Sequence, residues 1–333
     1  MIDLIRRDYV EKNEAMDFTK LAGYFTLDIL TKIAFGHALG FLTENRDLYN
    51  YHKATSEFYP LMELGSNHPT VLSILNSKVM QFLAGPKAGD KVGMGAIIGV
   101  AHAAVAERFE PHAKLSDDMI SSFVRHGMTR EECETETMLQ ILAGSDSTST
   151  AFRTIFLFIL TSPPVYTKLV KEITAAVDTG GISTPVIKHS QTQTLPYLQA
   201  TVKEGLRMFM PLQGLAGRVS PSPDGATVNG VYIPPGTDVG AAVYSMLRRK
   251  DLFGPDADTF RPERWLENDA ETVKNYERLQ DMVFGYGRSS CLGKGIALME
   301  LHKVFFEVSR HSRLISAKFC PTPWWPFLPV LDG

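Results

Sequence analysis

Apolar residues recur along most of this chain at three- and four-residue intervals, the period of a helix with one buried face. From Asp17 to Phe35 they fall at Phe18, Leu21, Ala22, Phe25, Leu27, Ile29, Leu30, Ile33 and Ala34, which predicts a core helix that Gly36 and Gly40 break. Two further helices are expected over 49–59 and 69–83, and a short one over 100–109. Ser116-Asp117-Asp118-Met119 reads as a cap followed by a helix start. The stretch 83–99 holds Gly85, Gly89, Gly93, Gly95 and Gly99 and is expected to be a loose connection. It is no dinucleotide loop, because no strand precedes it and no aspartate follows at the required offset.

Residues 130–160 carry the longest pattern. Thr129 is the expected cap, and Glu131 and Glu132 stand in the first turn, where the helix dipole favours acids. The far half, 151–160, is almost wholly apolar, as for a helix buried on all sides, and Pro163-Pro164 ends it. Such a helix would run roughly 45 Å. Glu132, Glu134, Glu136, Asp146 and Arg153 argue against a membrane span. Its middle, Ala143-Gly144-Ser145-Asp146-Ser147-Thr148, interrupts the apolar run with small residues, an acid and hydroxyls. Serine and threonine weaken helix interiors, so the cluster needs a cause. Either a neighbouring helix packs closely on Gly144, or Gly144 leaves room for a diatomic ligand to which a hydroxyl and a carboxylate deliver protons.

Residues 165–177 read as an amphipathic helix closed by Gly180-Gly181, and 184–193 as a polar connection. Pro196 opens a helix over 196–208 in which Glu204 and Arg207 share a face. One strand is expected over 227–233, a turn at Pro234-Pro235-Gly236-Thr237, and a hairpin partner over 239–243. A short basic helix over 245–253, a charged irregular segment over 267–281 and a helix over 296–308 follow. In the last, Leu298, Leu301, Val304, Phe305 and Val308 form the inward stripe. The tail, 311–333, carries Pro321, Pro323, Pro326 and Pro329 around Trp324-Trp325, too much proline for a helix. The fold class is mainly α with small β-sheets.

Composition narrows the function. The chain has 333 residues, 44% of them hydrophobic, and a formal charge of −3, the wrong balance for a nucleic-acid binder. Its three cysteines, widely spaced and odd in number, form no disulfide framework, and Cys133 and Cys320 read as bystanders. No run of eighteen uninterrupted apolar residues is present, and the polar start Met1 to Glu14 is no signal or transit peptide of the usual kind.

The chemistry gathers in Phe284-Gly285-Tyr286-Gly287-Arg288-Ser289-Ser290-Cys291-Leu292-Gly293, ahead of a helical run. Glycines at this density let a backbone turn tightly and lie close against a flat object. A cysteine near a helix start is favoured as thiolate, the ligand that pushes electron density onto haem iron. The segment resembles the haem-binding loop of cytochrome P450 monooxygenases, F-x-x-G-x-R-x-C-x-G: Phe284, Gly287, Cys291 and Gly293 fall on it, while Ser289 stands where the arginine is usual and Arg288 lies one place early. The 143–148 segment resembles the family's distal motif A-G-x-D/E-T-T, with Ser147 in place of the oxygen-side threonine. Glu204, Arg207 and the Arg264 of Phe260-Arg261-Pro262-Glu263-Arg264-Trp265 resemble its Glu–Arg–Arg network, with Trp265 where phenylalanine is commoner.

The resemblance is strongest over 17–310 and implies one incomplete cytochrome P450 domain across 1–333, truncated at the amino terminus, with 311–333 an atypical tail. It implies haem b held by Cys291 as axial iron ligand, with Arg218, Arg288, Phe284, Gly287, Gly293 and Ala143 around the cofactor. It implies Gly144, Asp146, Ser147 and Thr148 at the oxygen side, and Leu212, Gln213, Gly214, Leu215 and Ala216 on a largely apolar substrate face. Arg218 reads equally as an exposed basic residue at a strand start. The expected partners are O2, an apolar small molecule and an NADPH-dependent P450 reductase. A membrane anchor at the endoplasmic reticulum is expected of a complete parent, and a cytoplasmic or undefined place for this chain. The motif vocabulary resembles fungal, pisatin-demethylase-like members. With one wall of the cleft missing, haem is expected to be held weakly. An inactive remnant, and a non-haem helical protein in which Cys291 is a plain buried thiol, stand as the alternatives.

Overall fold

The computed structural model describes residues 1–214, 217–220 and 222–311. Cys320, the tryptophans and prolines of the tail, Leu215 and Ala216 lie outside them. Two compact units form, Met1–Ser149 and the described residues from Thr150 on, and the division falls inside the long helix Arg130–Thr161.

In the first unit the helix Phe18–Phe35 forms as its periodicity predicts, with Asp17 accepting the Thr19 and Lys20 N–H groups and Gly36 closing it at φ 85°. Its Tyr24, Leu27 and Phe35 join Phe41, Tyr51, Ile97, Ala101, Val105, Ile120, Cys133 and Ile141 in one core. Cys133, read from the sequence as a bystander, is a core residue. Asp28 is buried on this helix and accepts the N–H groups of Gly40, Phe41 and Leu42 at 2.8, 3.0 and 2.9 Å, which caps the short helix Phe41–Glu44 from a distance.

The next helix runs Tyr51–Asn67, straight past Tyr59 and through Pro60. Packing against the helix Gly93–Arg108 outweighs the hydrogen bond the proline forfeits. The expected 69–83 helix is two, Pro69–Leu75 and Lys78–Ala84, because Ser77 leaves the helix and caps Met80. The glycine-rich stretch is only partly a connection, since helix Gly93–Arg108 begins inside it. A Cβ on Gly95 would lie 2.1 Å from Asp90 Oδ2 and one on Gly99 2.3 Å from the Ala88 carbonyl, so these glycines let the 87–90 turn lie directly on the helix. The helix Met119–Arg125 starts where Asp118 accepts the Ser121 N–H at 2.7 Å. Thr129 and Glu132 exchange bonds at the head of the long helix as a capping box.

In the second unit the helices Pro163–Asp178, Pro196–Met208 and Lys294–Arg310 pack on one another. Gly205 has no room for a side chain, because a Cβ there would lie 2.3 Å from Ile155 of the long helix. Among the described residues the strands make two two-stranded antiparallel sheets. The expected 227–233 strand is itself a hairpin: Ala226–Val228 pairs with Val231–Ile233 across Asn229 and Gly230, both at positive φ. Asn-Gly favours this tight turn, and the apolar alternation carries on across it and hides the reversal. Val239 pairs with Arg218, not with the hairpin. The segment expected to be irregular is the helix Ala270–Asp281, which Asp269 caps through the Glu271 and Thr272 N–H groups. The polar connection contains the short helix His189–Thr192, and the basic helix is two short ones, Val243–Met246 and Lys250–Phe253.

Candidate functional site

Glu204, Arg207 and Arg264 come together in the second unit and are wholly buried. Arg207 forks onto Glu204 through Nε and Nη2 at 2.8 and 2.9 Å, and its Nη1 donates to the Leu247 and Ala257 carbonyls at 2.7 Å each. Arg264 donates to Glu204 Oε1 at 2.9 Å and to the Phe253 and Asp256 carbonyls at 2.7 and 2.9 Å. The Arg261 N–H and the Trp265 indole N–H, each at 2.9 Å, complete the donors around Glu204. The tryptophan that departs from the commoner phenylalanine thus acts as a hydrogen-bond donor to the carboxylate.

Trp265 and Phe253 hold Tyr276, with ring centroids 5.9 and 4.5 Å away. Tyr276 belongs to the helix Ala270–Asp281, and Gln280 of that helix donates to the Lys203 carbonyl. The chain then enters the turn Met282–Phe284 and the cysteine loop. The buried charges therefore fasten the segment from which the loop springs.

Within the loop the Cys291 N–H donates to the Phe284 carbonyl at 2.6 Å and the Ser290 N–H to the Gly287 carbonyl at 3.1 Å. Gly285 and Gly287 turn at φ 75° and 64°, and a Cβ on Gly285 would lie 2.8 Å from the Ser289 carbonyl. Gly285 therefore does as much for the loop's shape as the glycines the motif names. Lys294 bridges Asp281 at 2.7 Å and lies 5.7 Å from the Phe284 ring centre, so one cation ties both ends of the loop. The helix begins at Lys294, beyond Gly293. Cys291 is exposed, and so are Tyr286 and Leu292 of the same loop, at 83% and 100%. The thiol is accordingly not the plain buried group of the alternative reading. Arg288 is exposed in the turn Gly287–Ser289, and Arg218, exposed in its strand, donates to the Gly217 carbonyl.

In the first unit the middle of the long helix is held by side chains. A Cβ on Gly144 would lie 3.0 Å from both Leu30 methyl carbons, so close packing by the Phe18–Phe35 helix occupies that face. Ser145 and Thr148 are buried, and Ser145 pairs with the Tyr51 hydroxyl at 3.3 Å. The Tyr59 hydroxyl donates to the Asp146 carboxylate. Ser147 Oγ donates back to the Ala143 carbonyl at 2.7 Å. Tyr51 and Tyr59 carry no sequence signal for this role, since they lie far along the chain from their partners.

The residues present fit a haem. An exposed thiol on a glycine-shaped loop that also leaves an aromatic and a leucine uncovered offers a ligand and apolar side chains to a flat macrocycle. Among the described residues no three His, Cys, Asp or Glu side chains gather as for a bare metal ion. A porphyrin brings its own ring-nitrogen ligands, so one thiolate is what a protein has to add.

Comparison with known proteins agrees. The cytochrome P450 family profile matches residues 1–314. The chain is 39% identical over 315 residues to the cytochrome P450 monooxygenase aba1 of Botryotinia fuckeliana and 40% identical over 316 to ABA1 of Pyricularia oryzae, which cover 93% of this chain and 62% of each relative. It is 40% identical over 313 residues to abl1 of Leptosphaeria maculans, covering 92% of this chain and 54% of that protein. The chain thus spans less than two thirds of the length of these fungal monooxygenases. Among the described residues no helix is long and apolar enough to cross a membrane. With the family motifs in order and the matched profile spanning nearly the whole sequence, this chain belongs to the cytochrome P450 family.

Proposed function

We propose that the chain carries the haem-thiolate loop and the distal helix of a monooxygenase that inserts one oxygen atom of O2 into an apolar organic substrate, in secondary metabolism or detoxification. The observation that supports this most is the exposed Cys291 on a loop anchored by a fully donor-satisfied Glu204. Cys291 would ligate the iron of haem b, with Phe284, Gly287, Gly293 and Ala143 around the ring and Arg218 and Arg288 toward the propionates. When bound, that group supplies the activation of O2, with electrons from an NADPH-dependent reductase.

The chain's own residues position and move protons. Glu204, Arg207 and Arg264 hold the segment behind the thiol and take no part in bond making. Asp146 and Ser147 stand as proton carriers at the middle of the long helix. Ser147 must release the Ala143 carbonyl before its hydroxyl can donate elsewhere. Serine lacks the methyl that restricts a threonine rotamer, so this site is looser than a threonine site. Leu212, Gln213 and Gly214 are read as part of an apolar substrate face. Kinship with pisatin-demethylase-like members rests on the 143–146 and 284–293 wording, and an anchored parent at the endoplasmic reticulum is part of the same reading.

The test is the reduced, carbon monoxide-treated difference spectrum of the purified chain after haem loading. A thiolate-type Soret band well short of full haem occupancy, which Cys291→Ala abolishes, is expected; a full Soret shift would refute weak haem retention, and a folded protein that takes up no haem would make the chain an inactive remnant. Ser147→Thr is expected to raise product formed per NADPH consumed, and an unchanged ratio counts against the proton role of Ser147.

A further inference from the structure

Two tyrosines of the helix Tyr51–Asn67 reach adjacent residues at the middle of the long helix. Tyr51 is wholly buried and pairs with Ser145, while Tyr59 is about half exposed and donates to Asp146. The first bond lies in the core and sets the register of the two helices. The second lies where solvent can reach it, and its acceptor is the carboxylate read above as a proton carrier.

The backbone beside Tyr59 is chemically distinct. Pro60 follows it inside the helix, and a proline has no N–H to return to the carbonyl one turn back. Helices give at such points more readily than elsewhere. Tyr51 stands two turns earlier, within the continuous part of the helix. The backbone ladder between the two tyrosines is therefore one hydrogen bond short.

From this geometry we propose that Tyr59 is a positioning residue for Asp146: its phenol pins the carboxylate to the Tyr51–Asn67 helix, and release of that bond frees Asp146 to relay a proton. The inference rests on the proton-carrier reading of Asp146. A carboxylate is a strong acceptor, and a bond from a phenol restricts its rotamer. Asp146 has other interactions, so Tyr59 sets its orientation rather than its only attachment.

A cycle of Tyr59→Phe, Asp146→Asn and the double variant, read by thermal unfolding of the full chain without haem, tests the bond by itself. The double variant is expected to lose no more Tm than the larger single loss. Tyr51→Phe, which loses a bond to the neighbouring Ser145 and not to Asp146, is the comparison, expected to couple to Asp146→Asn less strongly than Tyr59→Phe does. Additive losses for Tyr59 and Asp146 overturn the proposal. In the haem-loaded protein with a reductase, Tyr59→Phe leaves Asp146 without its pin, so protons arrive out of step with the substrate; about tenfold less product per NADPH and a changed solvent deuterium isotope effect are expected, a fraction of what acid–base groups contribute. If Asp146→Asn changes both readouts and Tyr59→Phe changes neither, the positioning role is wrong and the Asp146 reading survives. If Asp146→Asn itself changes neither, the reading of Asp146 fails and the proposal with it, even where the bond is confirmed.

Discussion

Glu204 and Glu300 are both buried in the second unit, and their surroundings are opposite. Glu204 accepts from Arg207, Arg264, the Arg261 backbone and the Trp265 indole. Glu300, on the helix Lys294–Arg310 that follows the cysteine loop, is 7% exposed and has an Oε1 with no hydrogen-bond partner. Burial alone pushes its carboxyl up to about 8. Nearby His302 is 4% exposed. Its ring stacks at 6.3 Å on His189, and burial, then His189 and Lys203, lower its pKa to about 4 against the Leu298 carbonyl. Donors converge on one buried acid, while the other, left short of them, is kept protonated by its burial. Arrangement, not residue type, decides which.

The same chemical change at the two glutamates sharpens the contrast. Glu204→Gln leaves two buried guanidinium groups short of their counter-charge and is expected to cost about 3–5 kcal/mol in denaturant unfolding. A loss under about 1 kcal/mol would remove the network from any structural role.

Glu300→Gln is expected to stabilise, by an amount that depends on pH. Between 4.5 and about 8 the folded state holds a proton that the unfolded state has given up, so the wild type loses stability as pH rises through that window. The gain from glutamine therefore grows from nearly nothing at the lower end to on the order of 4 kcal/mol at the upper. A gain independent of pH would show that Glu300 has found a partner.

His302 works in the other direction. Below about 6.5 the unfolded chain takes up a proton that the folded imidazole refuses until about 4, so stability falls as pH drops through that interval. His302→Leu is expected to remove this acid loss, about 3 kcal/mol at its limit, in a Tm-against-pH series. Trp265→Phe, the mildest change, withdraws one donor from Glu204 and is expected to cost about 2 kcal/mol. It also loosens Tyr276, so faster amide exchange over 270–281 is the accompanying sign.

Much of the helical frame is readable from spacing, because a helix buries one face at a period that a single segment displays. The Phe18–Phe35 helix, its Asp17 cap and the long helix with its Thr129–Glu132 box arise from neighbours in sequence. The expectations that failed share another cause. At 93–99 glycines signify close approach by the 87–90 turn and not looseness, and at 270–281 a charged segment is helical because its one buried side, at Tyr276 and Gln280, meets the Trp265 cluster. The hairpin at 226–233 hid behind unbroken alternation.

By itself the sequence determined the family, the loop around Cys291, the Glu204–Arg207–Arg264 set and the interrupted middle of the long helix, all of them short patterns whose residues stand close together or recur in order. The tertiary structure alone decided that Trp265 donates to Glu204, that Leu30 occupies the face of Gly144, that Tyr59 meets Asp146 and that Glu300 is left short of donors. These depend on which side chains arrive from distant segments. Burial and hydrogen bonding follow from that arrival, and no local pattern records it.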